Sequence, residues 1–367
     1  MAKDNVTSLD VARRAGVSQS AVSRVFTPGA SVSQSMTDRV LAAANELGYR
    51  PNVLARSMIT GKSRLIGLVI AYLDNQFYPE ILEKMSTSLQ QRGYHVLVFM
   101  AQQTSGNIDS VLQEILDYQV DGIVLASVAM SSQLAERCDA AGIPVVLFNR
   151  AQTDDSFSTV TSDNFAGGRA LAEFLVAGGH ERIAYIAGWE GASTQRDREA
   201  GFRAGLAECG RALCARGVGD FRTDRAAEAA LRMFRTGQAP DAVFVANDHM
   251  AFAVIDVLRS NLGLSVPDDV SVVGYDNVQL AAWPSFNLTT VSQPSDEMVA
   301  ETVSALMAQI EEGETAPRRV LINGQLVVRG SARLPATCHQ NEGPERGLEE
   351  GPTGSLEQER EIDGKKE

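Results

Sequence analysis

Apolar residues at helical spacing predict two short helices near the start of the chain, between Thr7 and Val25. The residues on the packed sides of these helices are Val11, Ala12, Ala15, Ala21, Val22 and Val25. Thr7 is a good N-cap with an acidic residue, Asp10, three positions later, and Gly16 can adopt the left-handed turn between the helices. Two short helices around one tight turn predict a helix-turn-helix, whose second helix lies in the DNA major groove.

The second of these helices has a polar outer face. Ser18 can cap it, and its outward positions are Gln19, Ser20, Ser23 and Arg24. Short polar and cationic side chains of this kind reach base edges and phosphates. The alternative for any polar helix face is that it is simply solvated, so this face alone does not decide between the two.

A third helix and a separate helical stretch follow. We expect Ser35 or Thr37 to cap the third helix and Gly48 to end it. Its packed face would be formed by Val40, Leu41, Ala44 and Leu47. Residues 52–58, directly after Pro51, predict a further short helix before Gly61.

The rest of the chain alternates apolar runs with amphipathic stretches of helix length. The runs occupy residues 65–71, 95–100, 122–126, 144–148, 182–187, 242–246 and 270–274. Continuous Val, Ile and Leu runs indicate strands that are buried on both faces, and therefore parallel sheets. Two such α/β units fit this length, with a ligand expected beyond the carboxyl ends of the strands.

The distribution of charge is compatible with nucleic acid despite the net charge of −13 over 367 residues. Residues 1–64 contain nine Lys and Arg against four Asp and Glu, a local balance of +5. A basic amino-terminal segment on an otherwise acidic chain suits a DNA-binding protein in which only that segment contacts the phosphates. Four scattered cysteines and four isolated histidines give no metal-ligand or disulfide spacing. We find no signal peptide or membrane-spanning run, so a cytoplasmic protein is expected.

These features together resemble the lactose-repressor family of transcriptional regulators. The segments that carry the resemblance are Asp10-Val11-Ala12, Ala15-Gly16-Val17-Ser18, Val22-Ser23-Arg24-Val25, Leu47-Gly48-Tyr49-Arg50-Pro51-Asn52 and Ala55-Arg56-Ser57. The resemblance implies a small all-α helix-turn-helix domain plus an α/β periplasmic-binding-protein-like core of two parallel-sheet subdomains. It also implies chain crossovers near 161–164, 290–293 and 322–325, with a sugar-sized effector in the cleft between the subdomains.

The resemblance assigns operator contacts to the amino-terminal segment. Gln19 and Ser20 match the main operator-reading pair, and Met58 stands where the family commonly inserts a leucine into the minor groove. The full predicted DNA-binding set is Thr7, Ser18, Gln19, Ser20, Ser23, Arg24, Ser33, Tyr49, Asn52, Ala55, Arg56 and Met58. Two-fold symmetry of a homodimer would require a near-palindromic, double-stranded operator.

Strand ends and the family resemblance together supply the candidate effector contacts. Asn149, Asp163, Asn247 and Asp276 follow predicted strands, and the resemblance adds Asn75, Phe77, Arg198 and Phe221. Arg198 precedes Ala-Gly-Phe as in the family, where this arginine typically holds the effector, and its planar fork suits vicinal hydroxyls or a carboxylate. Asn and Asp at these positions could instead cap the following helices. Near Asn75, Gln76 replaces a proline of the family pattern.

We therefore expect a homodimeric repressor whose operator affinity is controlled by a sugar or sugar derivative. The alternatives are a corepressor-type regulator with a purine or another non-sugar ligand, or a solute-binding protein. No catalytic constellation is visible, so no enzyme activity, cofactor or metal is expected. The predicted domains are 1–50 for DNA binding, 51–63 for the hinge, 64–337 for the core and 338–367 for a disordered acidic tail.

Overall fold

The computed structural model describes residues 6–27, 29–50, 62–101, 111, 113–128, 132–152 and 156–335. The predicted hinge stretch at 52–58 and the predicted tail from 338 onward lie outside these residues. The described residues form a helical amino-terminal domain and an α/β core.

Three helices form the amino-terminal domain: α1 (Ser8–Ala15), α2 (Gln19–Val25) and α3 (Gln34–Leu47). Thr7 and Asp10 form the predicted capping box at the start of α1, and Gly16 ends that helix at a φ of 65°. Ser18 accepts a hydrogen bond from the Ala21 amide and so caps α2. The prediction that Ser35 or Thr37 caps α3 is wrong, because the N-cap position is Ser33. The Thr37 hydroxyl instead donates back to the Ser33 carbonyl within the first turn.

A small apolar cluster holds the three helices together. Its buried members are Val11, Ala12, Val22, Val40, Ala43 and Ala44. On the predicted apolar face of α2, Ala21 and Val22 are buried and Val25 is half-buried, while the opposite face of the same helix is exposed. Because a short helix gains most of its stability from such packing, this cluster fixes the direction in which the polar face points.

Two six-stranded sheets form the core. The strands are β1 (Leu65–Ile70), β2 (His95–Met100), β3 (Gly122–Ala126), β4 (Val145–Phe148), β5 (Ser158–Ser162), β6 (Ile183–Ala187), β7 (Ala215–Val218), β8 (Ala242–Val245), β9 (Ser271–Asp276), β10 (Thr289–Ser292), β11 (Arg319–Ile322) and β12 (Gln325–Val327). The first sheet has the order β11-β5-β4-β3-β1-β2, and the second has the order β12-β10-β9-β8-β6-β7. Only the β10–β12 pair among these is antiparallel, so the predicted parallel sheets are confirmed.

Helices cover both sheets. They are α4 (Phe77–Gln91), α5 (Ser132–Ala140), α6 (Asn164–Ala177), α7 (Ser193–Glu208), α8 (Thr223–Phe234), α9 (Asp248–Asp256) and α10 (Ser295–Met307). The central strands β3, β4, β6 and β8 are buried along their whole length. Separate apolar clusters pack against the two sheets, so each sheet has a hydrophobic core of its own.

The chain passes between the two sheets three times: from β5 into α6, from β10 into α10, and from β11 into β12. These passages lie at 162–164, 292–295 and 322–325. Since β1, β4, β8 and β9 belong to parallel arrays, the loops at their carboxyl ends face the region between the sheets. Within the described residues, no helix combines the length and the apolarity that a membrane crossing requires.

Candidate functional site

The outer face of α2 is the first candidate surface. Gln19, Ser20, Ser23 and Arg24 are all exposed. Gln19 Nε2 donates to Ser8 Oγ at 2.9 Å, and the hydroxyls of Ser18 and Ser20 lie 3.0 Å apart. Arg24 lies in the last turn of α2, where a cation also offsets the helix dipole. The face therefore presents an amide, two hydroxyls and a guanidinium to solvent.

The other predicted DNA contacts occupy varied positions. Thr7 and Ser33 are exposed at the starts of α1 and α3. Tyr49 is half-buried and packs on Phe26, with 5.9 Å between ring centroids. The remaining four predicted contacts lie outside the described residues: Asn52, Ala55, Arg56 and Met58.

A small cavity between the two sheets is the second candidate site. It is lined by Tyr72, Asn75, Tyr78, Asn149, Arg150, Thr194, Arg198, Phe221, Asn247 and Asp276. The structure thus brings six of the eight predicted effector residues together. The cavity has a volume of about 10 Å³, which is room for one water molecule. The side chains that would contact a ligand consequently contact one another.

Asp276 is the centre of the hydrogen-bond network. Its Oδ2 accepts from Asn75 Nδ2 at 3.1 Å, and its Oδ1 accepts from Gln293 Nε2 at 2.7 Å and from Arg198 Nη2 at 3.4 Å. Burial raises the pKa of this carboxyl, whereas Arg198 and the two amides lower it. Asp276 is therefore a buried acceptor whose three donors come from three different parts of the chain.

Arg198 is held almost entirely by the protein. It is 2% exposed, and its Nε and Nη1 donate to Asn164 Oδ1 at 2.8 Å and to the Ala246 carbonyl at 2.6 Å. The guanidinium also lies 3.8 Å above the centre of the Tyr275 ring, which is a cation–π contact. Each of these contacts supports its positive charge, so Arg198 is a fully accommodated buried cation.

Three cavity residues have left-handed backbone conformations. The φ angles of Asn149, Phe221 and Asp276 are 54°, 58° and 122°. Such conformations are costly for residues other than glycine and cluster at functional sites. Gly188 completes the arrangement, because a β-carbon there would overlap the ring of Phe221. The backbone is therefore shaped to turn these side chains into the cavity.

Unpaired polar atoms concentrate around this cavity. Of the described residues, four have a buried side-chain nitrogen or oxygen without a hydrogen-bond partner, and three of these border the cavity. The three atoms are Asn149 Oδ1, Arg150 Nε and Asn247 Nδ2. An unpaired buried polar atom costs about 1–3 kcal/mol, so their clustering identifies a surface that a polar ligand would complete.

Direct contacts join the two subdomains across the cavity. Arg150 Nη1 donates to Thr194 Oγ1 at 2.7 Å, and the Ala151 amide donates to Ser193 Oγ at 2.9 Å. The bond between Asn75 and Asp276 also crosses the cleft. The two halves are thus drawn together by hydrogen bonds between side chains that a bound molecule could replace.

A second carboxyl, Asp248, lies behind the cavity. Its Oδ1 accepts from Thr290 Oγ1 at 2.7 Å, and its Oδ2 accepts from the Val278 amide at 3.0 Å. Burial, followed by the nearby charge of Asp276, raises the pKa of Asp248 to about 7. Asp248 therefore links α9 to β10 and to the segment that follows β9, without lining the cavity.

Two predicted effector residues do not line the cavity. Phe77 is buried in the core of the first sheet, where its ring stacks on the Phe148 ring with 6.2 Å between the ring centroids. On α4 it is the next residue, Tyr78, that points toward the cavity. Asp163 caps α6, with Oδ1 accepting from the Ala166 amide at 2.8 Å. The prediction that Asp163 contacts the effector is therefore replaced by the alternative that it caps the following helix.

Four lining residues were absent from the predicted set: Tyr72, Tyr78, Arg150 and Thr194. Arg150 directly follows Asn149 at the end of β4, so its position at a strand end was visible in the sequence. Tyr78 required knowledge of the helix register after β1. Thr194 lies in the first turn of α7, which does not follow one of the predicted strand ends directly.

Comparisons with known proteins agree with this architecture. A family profile described as "Bacterial regulatory proteins, lacI family" matches residues 7–52, and one described as "Periplasmic binding protein-like domain" matches residues 172–332. The ribose operon repressor of Escherichia coli (strain K12) is 31% identical over 331 residues, covering 89% of this chain and 99% of that protein. The transcriptional repressor PurR of Vibrio campbellii is 30% identical over 330 residues, covering 89% and 98%.

Solved structures show the same likeness. The Lac repressor dimer bound to operator and the anti-inducer ONPF has a TM-score of 0.81 at 29% identity, covering 89% of this chain and 99% of that one. A complex of the transcriptional regulator CelR with cellobiose has a TM-score of 0.68 at 30% identity, covering 89% and 100%.

Proposed function

Because the chain belongs to the lacI family of bacterial regulatory proteins, and is thus a ligand-controlled DNA-binding repressor, we propose that its effector occupies the cavity between the two sheets. The observation that carries this assignment is the set of three unpaired polar atoms around the cavity. A ligand with several hydroxyl groups would satisfy them, since each hydroxyl both donates and accepts. Operator DNA, a small-molecule effector and a second copy of the chain are its partners.

The effector is a sugar or a sugar derivative in this proposal. Phe221 would cover the apolar C–H face of a sugar ring, while Asp276 and the asparagines would bind its hydroxyls. A repressor of the ribose operon and a regulator in complex with cellobiose are among the relatives and neighbours. The proposed effector residues are Asn75, Tyr78, Asn149, Arg150, Thr194, Arg198, Phe221, Asn247 and Asp276.

The exposed face of α2 would contact the operator. Gln19, Ser20 and Arg24 are the proposed base-reading and phosphate-contacting residues because they are exposed on one helix face. We keep the domain division 1–50, 51–63, 64–337 and 338–367 as part of the proposal. Effector binding would break contacts such as that between Arg150 and Thr194, and this would shift the DNA-competent population of the dimer.

A pair of matched substitutions tests the position of the effector. Phe221→Leu removes the ring at the cavity, whereas Phe77→Leu makes the same change at a predicted site residue that lies in the core. We expect Phe221→Leu to weaken effector binding and to leave operator affinity unchanged in the absence of effector. Both substitutions should lower the melting temperature, because Phe221 and Phe77 each belong to an apolar cluster, but Phe77→Leu should leave the effector affinity of the folded protein intact.

The measurement combines a thermal-shift screen of sugars, sugar acids, sugar phosphates and purines with titration of a labelled operator. A compound that shifts the melting temperature is then tested for its effect on operator affinity. If Phe77→Leu weakened effector binding and Phe221→Leu did not, the proposed cavity would be the wrong site. A purine that strengthened operator binding would instead support the corepressor alternative.

A further inference from the structure

Arg150 is a buried cation of the cavity that has no charged partner among the residues that the structure describes. It is 4% exposed, and none of the described carboxylates forms an ion pair with it. Its Nη1 donates to the neutral hydroxyl of Thr194, while its Nε has no hydrogen-bond partner. A buried charge is costly unless it is paired, so this environment is unfavourable for Arg150 in the absence of a ligand.

The charges around Arg150 add to this imbalance. Burial has the largest effect on the pKa of Arg150 and lowers it. The phenol groups of Tyr78 and Tyr72 raise this pKa, whereas the nearby cations Arg198 and Arg196 lower it further. A lowered arginine pKa means that the surroundings disfavour the positive charge. The guanidinium nevertheless stays protonated, because an arginine pKa lies far above neutral pH.

Among the described residues, Asp276 is the one carboxylate that lines the cavity, and it already has hydrogen-bond partners. Asp276 accepts from Arg198, Asn75 and Gln293, so its negative charge balances Arg198. The lining therefore contains two cations and one anion, and the unbalanced cation is Arg150. Arg198 differs from Arg150 in this respect, because both its charge and its donors are satisfied by the protein.

We infer that the effector carries a negatively charged group, a carboxylate or a phosphate, which binds the guanidinium of Arg150. This inference rests on the proposed effector site and narrows its ligand from sugars in general to acidic sugars. An oxyanion would accept from the unpaired Nε and form the charge-assisted hydrogen bonds for which the planar guanidinium is suited. The sugar hydroxyls would remain for the asparagines and Asp276.

The test compares neutral and acidic forms of the same sugar on the full chain. Thermal shifts and calorimetric titrations use galactose, galacturonate and galactose 6-phosphate, the corresponding glucose series, ribose with ribose 5-phosphate, and inorganic phosphate alone. Ionic strength is held constant with sodium chloride. The variants are Arg150→Gln, which keeps a donor for Thr194, and Arg150→Lys, which keeps the charge. Arg232→Gln is the control, because Arg232 is an exposed arginine of α8 that pairs with Glu228 and does not line the cavity.

An acidic member of a series is expected to bind more tightly than its neutral partner. Arg150→Gln should remove this preference at a cost of roughly tenfold or more in affinity for the acid. Arg150→Lys should retain part of the preference, and Arg232→Gln should retain all of it. Whether galacturonate or galactose 6-phosphate binds separates a carboxylate from a phosphate. A purely structural role for Arg150 would affect neutral and acidic ligands equally.

Two results would overturn the inference. Neutral sugars could bind as tightly as their acids in the wild type and in Arg150→Gln alike, in which case the proposed sugar site would stand without its anion contact. Alternatively, the wild type could bind none of the acids and no phosphate. The proposed function fails separately, if an acid that binds through Arg150 leaves operator affinity unchanged.

Discussion

Replacing Arg198 by alanine is expected to destabilise the core by about 3–5 kcal/mol, because one partner of a buried ion pair is removed while the other remains. Arg198 and Asp276 have 3% and 2% of their side chains exposed. The substitution also leaves the carbonyl of Ala246 and the side chain of Asn164 without their donor. For a domain with a total stability of about 5–15 kcal/mol, this loss is large but does not by itself prevent folding.

The loss should depend on pH in a defined direction. Burial raises the pKa of Asp276 and Arg198 lowers it, so removal of Arg198 raises that pKa further. A carboxyl whose pKa is higher in the folded state than in the unfolded state resists ionisation. Its penalty is therefore absent below the unfolded pKa of about 3.9 and grows as the pH rises through the folded pKa. The deficit of Arg198→Ala should be smaller at pH 5.5 than at pH 8.

Urea unfolding followed by tryptophan fluorescence measures this effect, since the chain contains two tryptophans, Trp189 and Trp283. Arg203→Ala is the matched control, because Arg203 lies on the same helix and forms an ion pair with Glu199 at 2.8 Å with 49% of its side chain exposed. That change should cost at most about 1 kcal/mol.

The double variant Arg198→Ala with Asp276→Asn should recover stability and lose most of the pH dependence. Arg198→Ala is also expected to abolish the response to effector while operator binding persists. A loss no greater than that of Arg203→Ala, or a loss that was the same at both pH values, would refute the reasoning. The buried pair would then contribute nothing beyond an exposed one.

Two further predictions concern Asp248 and Arg24. Because the pKa of Asp248 is raised to about 7, its contribution to stability is fully present below about pH 4 and is lost as the pH rises through 7. Asp248→Asn should therefore flatten the stability profile between pH 5 and 8 in urea unfolding, and an unchanged slope would contradict this. Arg24→Ala should weaken operator binding by about 1–3 kcal/mol at constant salt if Arg24 reads a base, with a smaller loss on unrelated DNA. Fluorescence anisotropy on both duplexes measures this, with Arg13→Ala as the exposed control, and equal losses on the two would reduce Arg24 to a phosphate contact.

Most of the fold can be predicted from local patterns in the sequence. The capping box at Thr7, the left-handed end of α1 at Gly16 and the buried strands such as β3 depend on residues within a few positions of one another. Helical spacing and continuous β-branched runs encode such features directly. For the same reason the sequence predicts the exposed face around Gln19.

Local patterns do not predict which residues line the cavity. Phe77 and Tyr78 are adjacent, yet only Tyr78 lines the cavity, because the packing of α4 on the first sheet sets which of them turns inward. Asp163 follows β5 and Asp276 ends β9, yet Asp163 caps a helix and Asp276 accepts from three donors in other parts of the chain. Strand ends could be read from the sequence, but the orientation of a side chain there depends on contacts between residues far apart in the chain.

The sequence by itself determined a helix-turn-helix followed by two parallel-sheet subdomains, since these follow from periodicity, caps and turns. Only the tertiary structure decided how charge is balanced where the subdomains meet. Arg198 and Arg150 have the same side chain, but Asp276 lies beside one and a neutral threonine beside the other. That difference arises because the two sheets bring together residues more than 40 positions apart, and no local pattern encodes such a pairing.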